Sequence, residues 1–96
     1  MSRPTRYKFR LYIAGDTQNS ILALANLSAL CEARLPSRYK IEVVDVLREP
    51  KRALTDGIFM TPTLVKLAPM PVNKIVGTLT DSDRVSEILG LGTLAA

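Results

Sequence analysis

From Tyr7 to Ile13, apolar and basic side chains alternate. Tyr7, Phe9, Leu11 and Ile13 fall on one side of an extended chain, and Lys8 and Arg10 on the other. A period of two belongs to a strand with one face in a core, so a half-buried strand is expected here. Ala14-Gly15-Asp16-Thr17 follows as a turn, where Asp16 or Thr17 can cap the free N–H groups of the next helix. The period then changes. Leu24, Leu27, Cys31 and Leu35 recur at steps of three and four, the spacing of a buried helical stripe, and the helix should run to about Arg34, before Pro36. Because Cys31 sits on that stripe, it reads as a buried structural thiol.

The segment from Tyr39 to Leu47 carries Ile41, Val43, Val44 and Val46, a pattern typical of a strand covered on both faces. Strand, helix and strand joined by a long crossover imply a parallel pair. A short helix is expected from Pro50 to about Asp56, with Gly57 closing it in the left-handed conformation. Thr63 to Leu67 and Val72 to Leu79 then read as two strands, joined through Ala68-Pro69-Met70-Pro71 as an antiparallel hairpin. Thr80 and Asp83 form a capping box for a last helix, in which Val85, Ile88 and Leu89 share a face and Gly90 and Gly92 mark the end. The resulting order is βαβαββα. Pro62, just before the third strand, is a candidate cis-proline at Thr61-Pro62.

With 96 residues, 47% apolar and 23% charged, the chain is expected to form one globular domain over residues 1–96. Its apolar runs are interrupted well short of the roughly 20 residues a membrane-spanning helix needs, and a cytoplasmic location without membrane contact is expected. A single cysteine and no histidine leave no intrachain disulfide and no cluster of soft metal ligands, so neither a metal nor a cofactor is expected. The net charge is +4, and Arg3, Arg6, Lys8 and Arg10 near the start can attract phosphates or an acidic protein surface.

Met60-Thr61-Pro62-Thr63-Leu64-Val65 resembles the loop of a thioredoxin-like fold in which a proline precedes an apolar strand. A redox thioredoxin carries Cys-x-x-Cys at the start of its first long helix, and here Thr17-Gln18-Asn19-Ser20 occupies that place. Hydroxyls do not ionise at neutral pH as a helix-terminal thiol does, so Thr17 and Ser20 read as helix caps, and an enzyme is not expected. Arg10-Leu11-Tyr12-Ile13-Ala14-Gly15-Asp16 looks like the first motif of an RNA-recognition domain. That domain needs further aromatic stacking platforms on its third strand, where this chain has none, which argues against nucleic acid.

Taken in order, Leu11-Tyr12-Ile13-Ala14-Gly15, Asn19-Ser20, Val44-Asp45-Val46-Leu47 with Pro50, Thr61-Pro62-Thr63-Leu64, and Pro71-Val72 leading to Ile75-Val76-Gly77 resemble the KaiB family of bacterial circadian clock proteins. The resemblance covers nearly the whole chain. It implies a thioredoxin-like α/β domain acting as an adaptor on a KaiC-like ATPase ring, where it recruits or displaces other clock proteins. It also implies a possible second, tetrameric fold of the C-terminal half and hence self-association. A related sensory domain occurs in histidine kinases, so a signalling kinase is an alternative partner. In the family, the partner faces correspond to the helix start with Asp16, Gln18 and Asn19, the second strand with Tyr39, Lys40 and Glu42, and the short helix with Lys51 and Arg52.

Departures from the family fall on these faces. Leu22, Glu42 and Gly57 occupy positions where clock members usually carry a basic residue, and an acidic Glu42 should repel a partner that a basic residue attracts. Lys40, Arg48, Lys51 and Arg52 form a basic group suited to an acidic ring surface. Tyr7, Tyr12 and Tyr39 are candidate anchors, with strand packing as the competing reading.

Overall fold

A computed structural model describes residues 5–91. The elements are β1 (Tyr7–Ile13), α1 (Gln18–Arg34), β2 (Tyr39–Asp45), α2 (Pro50–Thr55), β3 (Thr63–Ala68), β4 (Asn73–Val76) and α3 (Ser82–Leu89), in the expected βαβαββα order. They build one four-stranded sheet in the order β2-β1-β3-β4. β1 runs parallel to β2 and antiparallel to β3, and β3 and β4 form the expected antiparallel hairpin. Gly92, expected to help end the last helix, lies outside the described residues.

The larger core lies between the sheet and the helices α1 and α3. Phe9, Leu11 and Leu64 enter it from the strands, Ala23, Leu27, Cys31 and Leu35 from α1 and its C-cap, and Val85 and Leu89 from α3. Thr17 caps α1, its hydroxyl accepting from the Ser20 N–H. At α3 the cap is Asp81, whose Oδ1 accepts from the Arg84 N–H at 3.1 Å. The expected Thr80 cap is corrected: a carboxylate one residue nearer the helix takes the position, while the Thr80 hydroxyl meets Thr78 Oγ1 at 2.7 Å.

A second core on the reverse face corrects the reading of β1 as half-buried. Tyr12, Val44, Ala53, Ile58 and Val65 pack there beneath α2, so β1, flanked on both edges, feeds a core on each face, and only its start at Lys8 stays exposed on the reverse side. The continuous apolar run of β2 misled in the opposite sense. β2 is an edge strand in which only Val44 is fully buried, and Val43 remains 41% exposed. β4 is also shorter than expected: Leu79 lies beyond it at φ 63°, buried against the larger core.

Three strands grip the end of α3. Lys66, opposite Phe9 and 3% exposed, donates from Nζ to the Leu89 carbonyl at 3.0 Å. Asn73 Nδ2 donates to the Ile88 carbonyl at 2.9 Å, and the Tyr7 hydroxyl reaches the Gly90 carbonyl at 3.4 Å. These carbonyls form the negative end of the helix dipole, where a cation is favoured. A charged donor to such a carbonyl contributes on the order of 1.5–3 kcal/mol. Lys66→Met should therefore lower the urea unfolding free energy by about that amount. It should also speed amide exchange in α3 more than in β1. Unchanged exchange in α3 would mean that the packing of Val85 and Leu89 alone holds the helix.

Candidate protein-binding surface

The strand directions bring four segments to one end of the sheet. β1 and β2 leave the sheet together, with Ile13 opposite Asp45; β3 enters beside them, with Tyr12 opposite Thr63; and β4 leaves there, with Val76 opposite Thr63. Asp45 ties two of the loops, its Oδ1 accepting from the Gly15 N–H at 3.1 Å and the Leu47 N–H at 3.0 Å. Gly15 turns at φ 58°, and a side chain there would also sit 3.4 Å from Leu47 Cδ1. Apolar side chains crowd this end without being covered. Ile21 and Leu22 on α1, Leu47 after β2, Phe59 and Met60 before β3, and Val76 are all exposed, Phe59 to 87%. A shallow depression of about 170 Å³ runs between Ile58, Phe59, Met60, Thr63 and Val76.

Asp16, Gln18 and Asn19 are exposed at this same end. Gln18 and Asn19 line a second depression of about 340 Å³ with Ala14, Thr17 and Thr61. The Thr61-Pro62 bond is cis and Pro62 is buried. Where a dithiol would stand, the hydroxyls are committed to structure: Thr17 Oγ1 donates to Ser20 Oγ at 2.7 Å, and Ser20 Oγ accepts from the Ala14 N–H at 3.2 Å.

The remaining predicted residues divide between the two faces. Lys40 and Glu42 project from β2 on the α2 side, while Tyr39 packs against the larger core on the α1 side and donates its hydroxyl to Glu32. Lys51 is exposed on α2. Glu42 is held between two arginines, Arg10 Nε on Oε1 and Arg52 Nη2 on Oε2, each at 2.8 Å. Arg10 also lies 3.6 Å from Asp56, whose Oδ2 accepts from the Tyr12 hydroxyl, and Arg52 lies 3.7 Å from Glu49.

Three readings of this region are thereby corrected. Glu42 is not a free repelling charge, because its own neighbours neutralise it. Arg52 does not join Lys40, Arg48 and Lys51 as an open basic group, since the two glutamates take it. Tyr12 is no partner anchor, being 1% exposed. The signal that sequence reasoning passed over was Phe59-Met60, two large apolar residues in an expected loop.

Hydrogen bonds from Arg10 and then Arg52 hold the Glu42 carboxyl below the ordinary glutamate range. Its contribution to stability is therefore fully present above that range and is lost as pH falls through the lowered value. Glu42→Gln should lower the melting temperature at neutral pH, and the gap from wild type should close on acidification. A gap independent of pH would assign the effect to side-chain shape. Glu42→Lys should destabilise further by setting three cations together.

Burial, with a smaller contribution from Glu32, pushes the Cys31 thiol up to about 12. A thiol-reactive chromogen at pH 8 should leave native protein unlabelled and react with one thiol per chain after denaturation. Rapid native labelling would contradict the burial of Cys31.

Residues 10–91 match the KaiB domain family. The chain is 44% identical to the circadian clock oscillator protein KaiB of Acaryochloris marina over 88 residues, covering 92% of this chain and 83% of the relative. It is 42% identical to that of Synechococcus elongatus over 94 residues, covering 98% and 90%. Among solved structures it is similar to the N-terminal domain of Synechococcus elongatus SasA, with TM-score 0.67, 21% identity, and coverage of 100% of this chain and 94% of that one. It is also similar to a mutant thioredoxin from Halobacterium salinarum, with TM-score 0.71, 20% identity, and coverage of 96% and 80%. These two likenesses establish a thioredoxin-like fold.

Proposed function

Because the chain belongs to the KaiB family, we propose that it is a non-enzymatic adaptor that binds a KaiC-type ATPase ring and modulates clock or clock-related signalling. The observation that carries this reading is the uncovered apolar end of the sheet, with Phe59 at its most exposed point. Clustered exposed apolar groups cost solubility and mark contact surfaces, and an aromatic side chain supplies large contact area for little entropy loss. Asp16, Gln18 and Asn19 rim this surface, and Lys51 on α2 supplies a cation toward an acidic ring. The neutralised Glu42 leaves such a partner unopposed.

Binding uses the thioredoxin-like form, whose terminal helix Lys66, Asn73 and Tyr7 hold in place. The complex should then form without a lag. Phe59→Ser, at an exposed loop position, should weaken binding to a purified KaiC-type ATPase with ATP by roughly thirtyfold without lowering stability, as read by calorimetry. Wild-type affinity in the variant would remove the apolar end from the interface. Failure of the wild-type chain to bind, with a signalling kinase captured instead, would leave the family fold with a different partner.

A further inference from the structure

At the apolar end of the sheet, one exposed side chain can change its polarity by simple chemistry. Met60 is 64% exposed and lines the depression of about 170 Å³ beside Phe59, Thr63 and Val76. The other exposed apolar residues there, Ile21, Leu22, Leu47, Phe59 and Val76, carry hydrocarbon side chains that a mild oxidant leaves unchanged. Met60 carries a thioether, whose sulfur lone pairs react with peroxides without prior loss of a proton. Its place is fixed by the loop: Thr63 Oγ1 donates to the Met60 carbonyl at 2.6 Å, and Pro62 between them is buried.

The other sulfurs are sorted by position. Cys31 is fully buried in the larger core, and since a thiol reacts with peroxide as its thiolate, burial and the raised pKa protect it. Met70 is 76% exposed, but it lies on the β3–β4 connection at the opposite end of the sheet, beyond the Lys8–Ala68 pair. Met1 falls outside the described residues. Among the described residues an oxidant therefore meets two open sulfurs, and only that of Met60 stands on the apolar surface.

We propose that Met60 is a modification site, at which a hydroperoxide converts the thioether to the sulfoxide and thereby weakens docking at the apolar end. The inference rests on the reading of that end as the contact surface for a KaiC-type ATPase. In the forward step a sulfur lone pair attacks one peroxide oxygen and the O–O bond breaks. The second oxygen leaves as hydroxide, takes the proton from the first and becomes water, so that sulfur loses the two electrons the peroxide gains. A dithiol reductant reverses the change, giving thioether, disulfide and water. The sulfoxide oxygen accepts hydrogen bonds from water in the free chain. Docking against an apolar partner strips that water and returns no donor, so oxidation penalises the bound state alone.

The test uses the full wild-type chain, partially oxidised with hydrogen peroxide, cleared of oxidant by catalase and passed over an immobilised KaiC-type ATPase with ATP. Sulfoxide at each methionine is then quantified in the bound and unbound fractions by mass spectrometry of their peptides. The bound-to-unbound ratio for Met60 sulfoxide should be about tenfold lower than for unoxidised Met60. Met70 sulfoxide should divide evenly, and Cys31 should stay a thiol. Treating the unbound fraction with methionine sulfoxide reductase should restore its retention. The oxidised chain should melt at the temperature of the untreated one, because Met60 packs in neither core. An even division of Met60 sulfoxide, or a Met60 that stays unoxidised in the folded chain, overturns the proposal and leaves the contact surface standing. A melting temperature that falls with Met60 oxidation overturns it too, by assigning the lost retention to unfolding. If the untreated chain is itself not retained, the contact surface is wrongly assigned, and the effect proposed for Met60 falls with it.

Discussion

The fold depends on β1, which lies between two strands and feeds a core on each face of the sheet. Its odd-numbered residues pack under α1 and α3, and Tyr12, on the reverse face, packs under α2 and bonds Asp56 through its hydroxyl. Burial, followed by the bond to Asp56, raises the Tyr12 pKa above the ordinary tyrosine value. A strand buried on both faces cannot shift its register by one residue without exchanging the contents of two different cores. That constraint fixes which strand ends come together, and hence which loops share a surface.

Charge is distributed around the same strand with a comparable effect. Arg10, beside Tyr12, takes Glu42 from one edge and approaches Asp56 from the other, and Arg52 closes the cluster from α2. Outside that cluster, Lys8 and Lys40 toward the strand starts and Lys51 on α2 are exposed. One end of the sheet gathers exposed apolar side chains beside the cis Thr61-Pro62 bond, while exposed Lys8 and Lys40 lie toward the other, where the Ala68-Pro69 and Met70-Pro71 bonds are also cis.

An apolar end and a charged end differ in their dependence on salt. The one thiol lies in the core, and the hydroxyls in the place of a dithiol bind each other and the backbone.

The local periods in the sequence were enough to define the seven elements, the buried stripe through Leu27, Cys31 and Leu35, and the position of Pro62, because helix and strand spacing are short-range properties of the chain. The family was legible for a related reason: its motifs occupy turns and strand ends, where few residue types fit. What the sequence could not reveal was which strand becomes an edge, since Val43 and Val44 read alike until strand order exposes one and buries the other. Nor could it pair Glu42 with Arg10, 32 positions away, or bring Leu47, Phe59 and Val76 to one end. Those relations arise from strand pairing across long separations, and only tertiary structure decides them.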